Sequence, residues 1–406
     1  MPFTLPPTVP DTDPDSDFRL RAIAIPAFGP SLLYGVSNGA ILPVIALSAR
    51  DLGASMAASG FIVALVGVGS LVSNIPAALF TARHGELRSM VAASLVSAVA
   101  MLLCIFASSI WALAAGVFMV GVASSVFLLA RQGYMVDAVP VWMRARALST
   151  LAGTMRIGVF VGPFAGAALI HLIDLQGAYW VALVAVLGAG AIAAVAPDMK
   201  TPAAAGAVPL ARPRMHEVFR AHRQVYLTLG LGILLVSAVR ASRQVVIPLW
   251  ADHLGIDAAV TSLIYGLVAA VDMSVFYPAG VLMDRRGRRA VALPSALMMG
   301  LAFIGIALSG GTVAFVVTAM LLGLGNGISS GIVMTLGADA SPAHGRTEFL
   351  GIWRFMADLG SSLGPVLLSA LTALVSLAAG VAAMGALGLA AAAVFWRRLP
   401  RGPAQR

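Results

Sequence analysis

The second half of this 406-residue chain repeats the first at a constant offset of 202 residues. Gly53, Pro76, Gly85, Asp137, Pro140, Arg144, Leu148, Gly162 and Pro163 recur as Gly255, Pro278, Gly287, Asp339, Pro342, Arg346, Leu350, Gly364 and Pro365. A repeat that keeps one spacing over so long a stretch requires two homologous folding units built on the same plan. Composition says where those units reside. The chain is 60% hydrophobic and 11% charged, whereas about a quarter of a soluble domain is charged. Such a chain belongs in a bilayer.

A helix needs about 20 apolar residues to cross the hydrocarbon core. Twelve such runs fit between the polar breaks, at 22–49, 56–81, 89–107, 110–136, 147–173, 178–196, 225–250, 258–282, 290–309, 312–337, 349–373 and 376–396. The expected fold is therefore an all-α membrane protein, twelve transmembrane helices in two pseudo-symmetric six-helix bundles. Its parts are a disordered acidic tail over 1–21, one bundle over 22–196, a Pro-rich linker over 197–224, a second bundle over 225–396 and a basic tail over 397–406. Within the linker, Met215, Val218, Phe219 and His222 have helical spacing. That segment reads either as a short helix on the membrane surface or as solvated chain.

The net charge of +9 is a topology signal. Of 26 Lys and Arg, 20 fall in segments on one side of the twelve runs, and Arg50 falls in a loop on the other. The positive-inside rule then places both termini in the cytoplasm, on one side as an even number of spans requires. No nucleic-acid face is expected. Cys104 is the single cysteine, so neither an internal disulfide nor a thiolate metal cluster can form. The scattered histidines have no metal-ligand spacing, and no metal or cofactor is expected. The run Asp11–Asp17 imitates a calcium loop, but Ser16 and Ala22 stand where a glycine and a glutamate belong. Gly323, Gly325 and Gly327 lie inside an apolar run with no strand before them, so they read as helix packing, not a phosphate loop.

Five arginines and two aspartates interrupt the runs: Arg131, Arg156, Arg240, Arg243, Arg354, Asp272 and Asp358. Each costs about 2.5 to 3.5 kcal/mol at the bilayer centre, so each should face a partner or a polar cavity. Arg156 and Asp272 have similar depth in the fifth and eighth runs and are expected to approach each other. Arg354 and Asp358 have the spacing of a pair on one helix face. A carboxylate in such a site gains proton affinity from desolvation and loses it to a nearby arginine, and cavity opening changes both effects. Asp272 and Asp358 are thus the proton-coupling candidates. Arg156, Arg240, Arg243, Arg354, Asn38, Asn326, Tyr34 and Tyr265 are the cavity and substrate candidates, with Trp353 a further aromatic wall. The arginine excess of three favours an anionic or zwitterionic cargo. Two repeated bundles with charge buried between them suit alternating access, in which one site opens to each side in turn.

One loop carries a recognisable signature. Gly280, Asp284, Arg285, Gly287 and Arg288, closing the eighth run, resemble the signature loop of the major facilitator superfamily. The resemblance implies a cytoplasmic latch that holds the outward-open state, with Asp284 facing the start of the fifth run near Arg144. In the first-half copy, Arg83 and Gly85 are kept, but Ala78 and Ala82 replace the glycine and aspartate. That departure implies a weaker latch. In the fifth run Gly158, Gly162, Pro163 and Gly166 resemble the superfamily's glycine–proline motif of proton-exchanging exporters, where small residues would bring the two halves into tight contact. The superfamily's arginine expected near Gly116 is absent.

The resemblance implies a monomeric secondary transporter in a plasma membrane, of the bacterial inner-membrane kind, with protons, a small molecule and lipid as its partners. Proton-driven efflux of a small amphipathic or anionic compound, as in multidrug antiporters, is the leading expectation. Proton-coupled import of an organic anion is the alternative. A transporter-like receptor that binds without moving its ligand is a third, which would keep its response in Asp284→Asn. No enzymatic chemistry is expected.

Overall fold

The computed structural model describes residues 24–139, 144–197, 215–329, 331–342 and 346–400. The first half comprises α1 (Ala24–Asp51), α2 (Met56–His84), α3 (Glu86–Ile105), α4 (Ile110–Ala138), α5 (Arg144–Ile173) and α6 (Gln176–Val195). After α7 (Met215–Ala221), the seventh span runs from Arg223 to His253 through α8 (Arg223–Val225), a π-helical turn (Tyr226–Gly230) and α9 (Leu231–His253). Then come α10 (Ala258–Arg286), α11 (Arg289–Leu308), α12 (Thr312–Ile328), α13 (Ile332–Ala340), α14 (Arg346–Leu374) and α15 (Leu377–Arg398). Among the described residues, twelve spans are long and apolar enough to cross a membrane, with α12 and α13 together forming the tenth. They fall on the twelve apolar runs of the sequence. There is no strand among the described residues.

The offset of the sequence repeat is also the offset of the helices. Ends of α1 and α9, and both ends of α2 and α10, differ by 202. The turns match as well. Gly53 and Gly255 have φ of 85° and 71°, and Gly85 and Gly287 have 82° and 88°, a region that a side chain rarely enters. The last two end their helices with backbone N–H bonds to Thr81 O and Met283 O. The helices that follow Gly53 and Gly255, α2 and α10, start on Ser55, which accepts from Ala58 N, and on Asp257, which accepts from Ala259 N. The opposite faces of the bundle are thus marked by Gly53 and Gly255 on one and by Gly85 and Gly287 on the other. The described chain enters and leaves at the latter face.

Glycines set the packing inside each half. A Cβ on Gly158 or Gly162 of α5 would overlap Leu32 O or Val36 O of α1, and on Gly360 or Gly364 of α14 it would overlap Leu234 O or Ala238 O of α9. The four contacts obey the repeat residue for residue. In lipid, where no hydrophobic force drives helices together, such backbone proximity supplies the association through dispersion contacts. This corrects the role expected of the glycine–proline run: its glycines seat α5 on α1 within one half and do not join the halves. Gly166 makes only ordinary contact with Ala40 and Ala178. α5 continues through Pro163.

Between halves, α2 lies along α14 and α5 along α10. Gly60 of α2 faces Ser369 of α14 and Val245 of α9, and Gly266 of α10 faces the Phe164 ring of α5. Large apolar side chains such as Ile75, Trp111, Val184, Leu308 and Val313 are exposed on the periphery, as a lipid-facing surface requires. α7 carries Val218 buried and Met215 and Phe219 exposed, with Phe219 stacked on Tyr226 at 5.5 Å.

Candidate functional site: a charged cavity between the halves

A cavity of about 940 Å³ lies between the two bundles. Toward the Gly53/Gly255 face it reaches no further than Leu42, Val63, Tyr265 and Pro365; toward the other face it extends to Gln132, Met334, Ala338 and Leu350. It therefore opens at the Gly85/Gly287 face. The closed end is crossed by an ion pair. Arg50 at the end of α1 donates from Nε to Asp252 Oδ2 at 3.0 Å, and from Nη1 to Ala54 O at 2.7 Å. Arg50 and Asp252 are 202 residues apart and are counterparts in the repeat.

At the centre of the cavity stands Asp272 of α10. Its Oδ2 accepts from Asn326 Nδ2 of α12 at 2.6 Å and from Arg243 Nη1 of α9 at 3.3 Å. Arg240, one turn before Arg243, donates from Nε to Asn326 Oδ1 at 3.0 Å. Asn326 thus links a guanidinium to a carboxylate, with its acceptor turned to the first and its donor to the second. Arg243 and Asp272 are largely buried, with side chains 14% and 19% exposed. Arg243 Nε has no hydrogen-bond partner among the described residues, so this guanidinium keeps a donor in reserve.

Arg156 and Asp272 face the same cavity, while the hydrogen bonds of Asp272 go to Arg243 and Asn326. Arg156 of α5 lines the same cavity and lies over the ring of Phe276, 4.5 Å from its centroid and one turn along α10 from Asp272. Arg243 and Asn326 belong to the same half as Asp272. Arg354 and Asp358 pair within α14, Nε to Oδ1 at 3.0 Å, and line the cavity wall. Asn38 and Tyr265 also line it, and Trp353 does so with its Nε1 donating to Val333 O at 2.8 Å.

Tyr34 is a correction: it is buried in the first bundle, stacked on Phe127 at 3.9 Å, with its hydroxyl bonded to Ser124 Oγ at 2.9 Å. Arg131 is not among the cavity-lining side chains either. The cavity therefore holds four arginines, at 156, 240, 243 and 354, against Asp272 and Asp358, an excess of two where three was expected. Ser70, Ser124, Ser237 and Gln244 also face it, and none was singled out from sequence. A lone serine or glutamine in an apolar run has no signal of its own, but the repeat offset connects Ser70 to Asp272 and Ser124 to Asn326.

At the Gly85/Gly287 face, Arg288 grips Asp339 with two bonds, Nε to Oδ2 at 2.6 Å and Nη2 to Oδ1 at 3.2 Å. Arg83, Arg285 and Arg286 are exposed, and Gly280 has open space where a Cβ would stand. The side chains of Asp284 and Arg144, expected to form the latch, lie outside the described residues.

Two six-helix repeats around a charged cavity, and a signature loop between α10 and α11, agree with a match of residues 31–239 and 229–406 to the model of the Major Facilitator Superfamily. The chain belongs to the major facilitator superfamily. It is a multi-pass membrane transporter of that superfamily and not an enzyme. The uncharacterized MFS-type transporter YhjO of Bacillus subtilis (strain 168) is 22% identical over 348 residues, which cover 84% of each chain. Among solved structures, a bacterial homologue of the human lysosomal transporter Spinster, inward-facing and unoccupied, superposes with a TM-score of 0.77 at 14% identity, covering 94% of this chain and 97% of the other. A D-xylose–proton symporter superposes with a TM-score of 0.71 at 16% identity, covering 94% and 98%. These likenesses concern the superfamily fold.

Proposed function

We propose that this transporter carries a small organic anion together with protons, by alternating access, through the cavity centred on Asp272. The observation that carries the reading is the double use of Asp272 Oδ2, held by Arg243 and Asn326 in a cavity with more arginines than carboxylates. While ionised, Asp272 occupies a guanidinium that a cargo carboxylate needs. A proton on Asp272 removes one negative charge and releases Arg243, so anion affinity rises as pH falls. Reciprocity then requires that the bound anion favour the proton on Asp272. Proton and anion load together, which is symport. Export by exchange requires the opposite, a cargo that displaces the proton, and fits a cargo whose own cation or donor takes Asp272. The four arginines support the anionic cargo.

The positive-inside distribution supports a cytoplasmic position for the Gly85/Gly287 face, with the protein in a bacterial inner membrane, so that the inward proton gradient drives uptake. Asp358, already tied to Arg354 on its own helix, is the second proton candidate. The test is proton flux in proteoliposomes with a pH-sensitive dye inside, as organic anions are added outside. Entry of protons with the anion is the expected result; protons leaving as a compound enters would overturn symport. In Asp272→Asn, anion affinity should stay at its low-pH level across the pH range, and anion flux should no longer drive protons.

A further inference from the structure

The charged group around Asp272 has an uncharged twin. Subtracting the repeat offset takes Arg240, Asp272 and Asn326 to Asn38, Ser70 and Ser124, and all six line the cavity. They also share one depth. Arg240 lies thirteen residues before the end of α9, and Asp272 and Asn326 lie fourteen after the starts of α10 and α12. At about 1.5 Å per residue, each is about 20 Å from the Gly53/Gly255 face. Asn38, Ser70 and Ser124 hold the same positions in α1, α2 and α4.

The hydroxyls of the twin are not engaged as helix serines usually are. Ser73, Ser242, Ser362 and Ser369 each fold back on the carbonyl four residues earlier, the customary way to satisfy a hydroxyl in an apolar helix. Ser124 Oγ instead bonds to Tyr34 OH, and Ser70 Oγ makes no hydrogen bond among the described residues while lining the cavity. Asn38 donates Nδ2 to Tyr34 O at 3.1 Å, which leaves its amide oxygen as an acceptor. At this depth one wall thus presents guanidinium and carboxylate and the other hydroxyl and amide, while Arg156 of α5 adds one guanidinium on the N-terminal side.

Resting on the anion reading above, we infer that the cargo is bipolar: an anionic head held by Arg243 and Arg240 beside Asp272, and an uncharged hydroxyl- or amide-bearing segment held by Asn38, Ser70 and Ser124. A purely aliphatic acid would leave the Ser70 hydroxyl and the Asn38 amide oxygen without a partner from the cargo on closure. A neutral polyol would leave the arginines without a counter-charge. A hydroxylated or amidated organic acid satisfies both walls.

The test measures binding to the purified full-length protein of three matched series: straight-chain monocarboxylates, their terminally hydroxylated analogues, and the corresponding diols. The hydroxylated acid that fits should bind about tenfold more tightly than the plain acid of equal length, the size of one well-made hydrogen bond. Ser70→Ala should bring that ratio to about one. Ser124→Ala is read the same way and serves if Ser70→Ala does not fold. Equal binding of the two acids by the unmodified protein, or a ratio untouched by both substitutions, overturns the bipolar assignment and leaves the anion reading standing. Diols that bind as tightly as the acids, or a protein that binds none of the three series, overturn the anion reading as well.

Discussion

Arg240 and Arg243 are three residues apart on one face of α9, yet they do different things. The first reaches Asp272 through Asn326 and the second directly. The direct contact depends on shape as well as charge, because a guanidinium can meet Asp272 with one nitrogen and a cargo carboxylate with others, whereas an ammonium is a single point charge. Arg243→Lys should therefore keep transport measurable but weaken anion affinity about tenfold or more, about 1.4 kcal/mol or more, as read from the concentration dependence of uptake. An unchanged affinity would show that only charge matters at this position. The partners of these charges differed in legibility. Arg354–Asp358 follows from helix geometry, since residues four apart share a face. Which arginine takes Asp272 does not, because it depends on how far α9 is rotated toward α10, a quantity set by packing along the whole helix.

At the scale of the elements, the ends of helices were legible because polar breaks interrupt the apolar runs and the repeated glycines Gly53, Gly85, Gly255 and Gly287 stand in those breaks; the side-chain caps emerged only with the structure. The glycines inside α5 were legible as packing residues but not as to which helix they touch. A Cβ on Gly162 would stand 2.6 Å from Ala40 N and 2.8 Å from Gly39 C of α1, and rigid backbone cannot yield as a side chain can. Gly162→Val should lower the stability of the purified protein by about 1–3 kcal/mol, the usual range for overpacking, seen as an earlier thermal transition in detergent. Gly153→Ala is the control on the same helix. Nothing lies within 4 Å of its Cβ position, so its transition should be unmoved or slightly higher.

For the whole molecule, the closed end and the open end of the cavity must exchange roles during transport, and Arg50–Asp252 joins the halves at the end now closed. Its side chains are 36% and 29% exposed, and a pair so placed contributes about 0.2–1 kcal/mol. That is too little to lock the molecule but enough to bias two states of similar energy. Arg50→Asp should open this end, and the double exchange Arg50→Asp with Asp252→Arg should close it again. The readout is labelling of Leu42→Cys, a cavity position on α1, by a membrane-impermeant thiol reagent in a Cys104→Ser background, Cys104 being buried and single. A rise of about two- to fivefold in the single variant, reversed in the double, is expected; equal labelling in all three would remove the pair from the gate.

The sequence alone determined the twelve spans, the two-bundle repeat, the turns that end the helices and the set of charges sunk into the membrane. Each of these follows from local hydrophobicity, from backbone conformations open to glycine, or from self-similarity along the chain. Only the tertiary structure decided that Asp272 bonds within its own half, that Tyr34 and Arg131 stand apart from the cavity, that the α5 glycines serve α1 and not the opposite bundle, and that an uncharged triad faces the charged one. Those outcomes turn on the rotation and crossing of helices, which many weak contacts set together and no short stretch of sequence encodes.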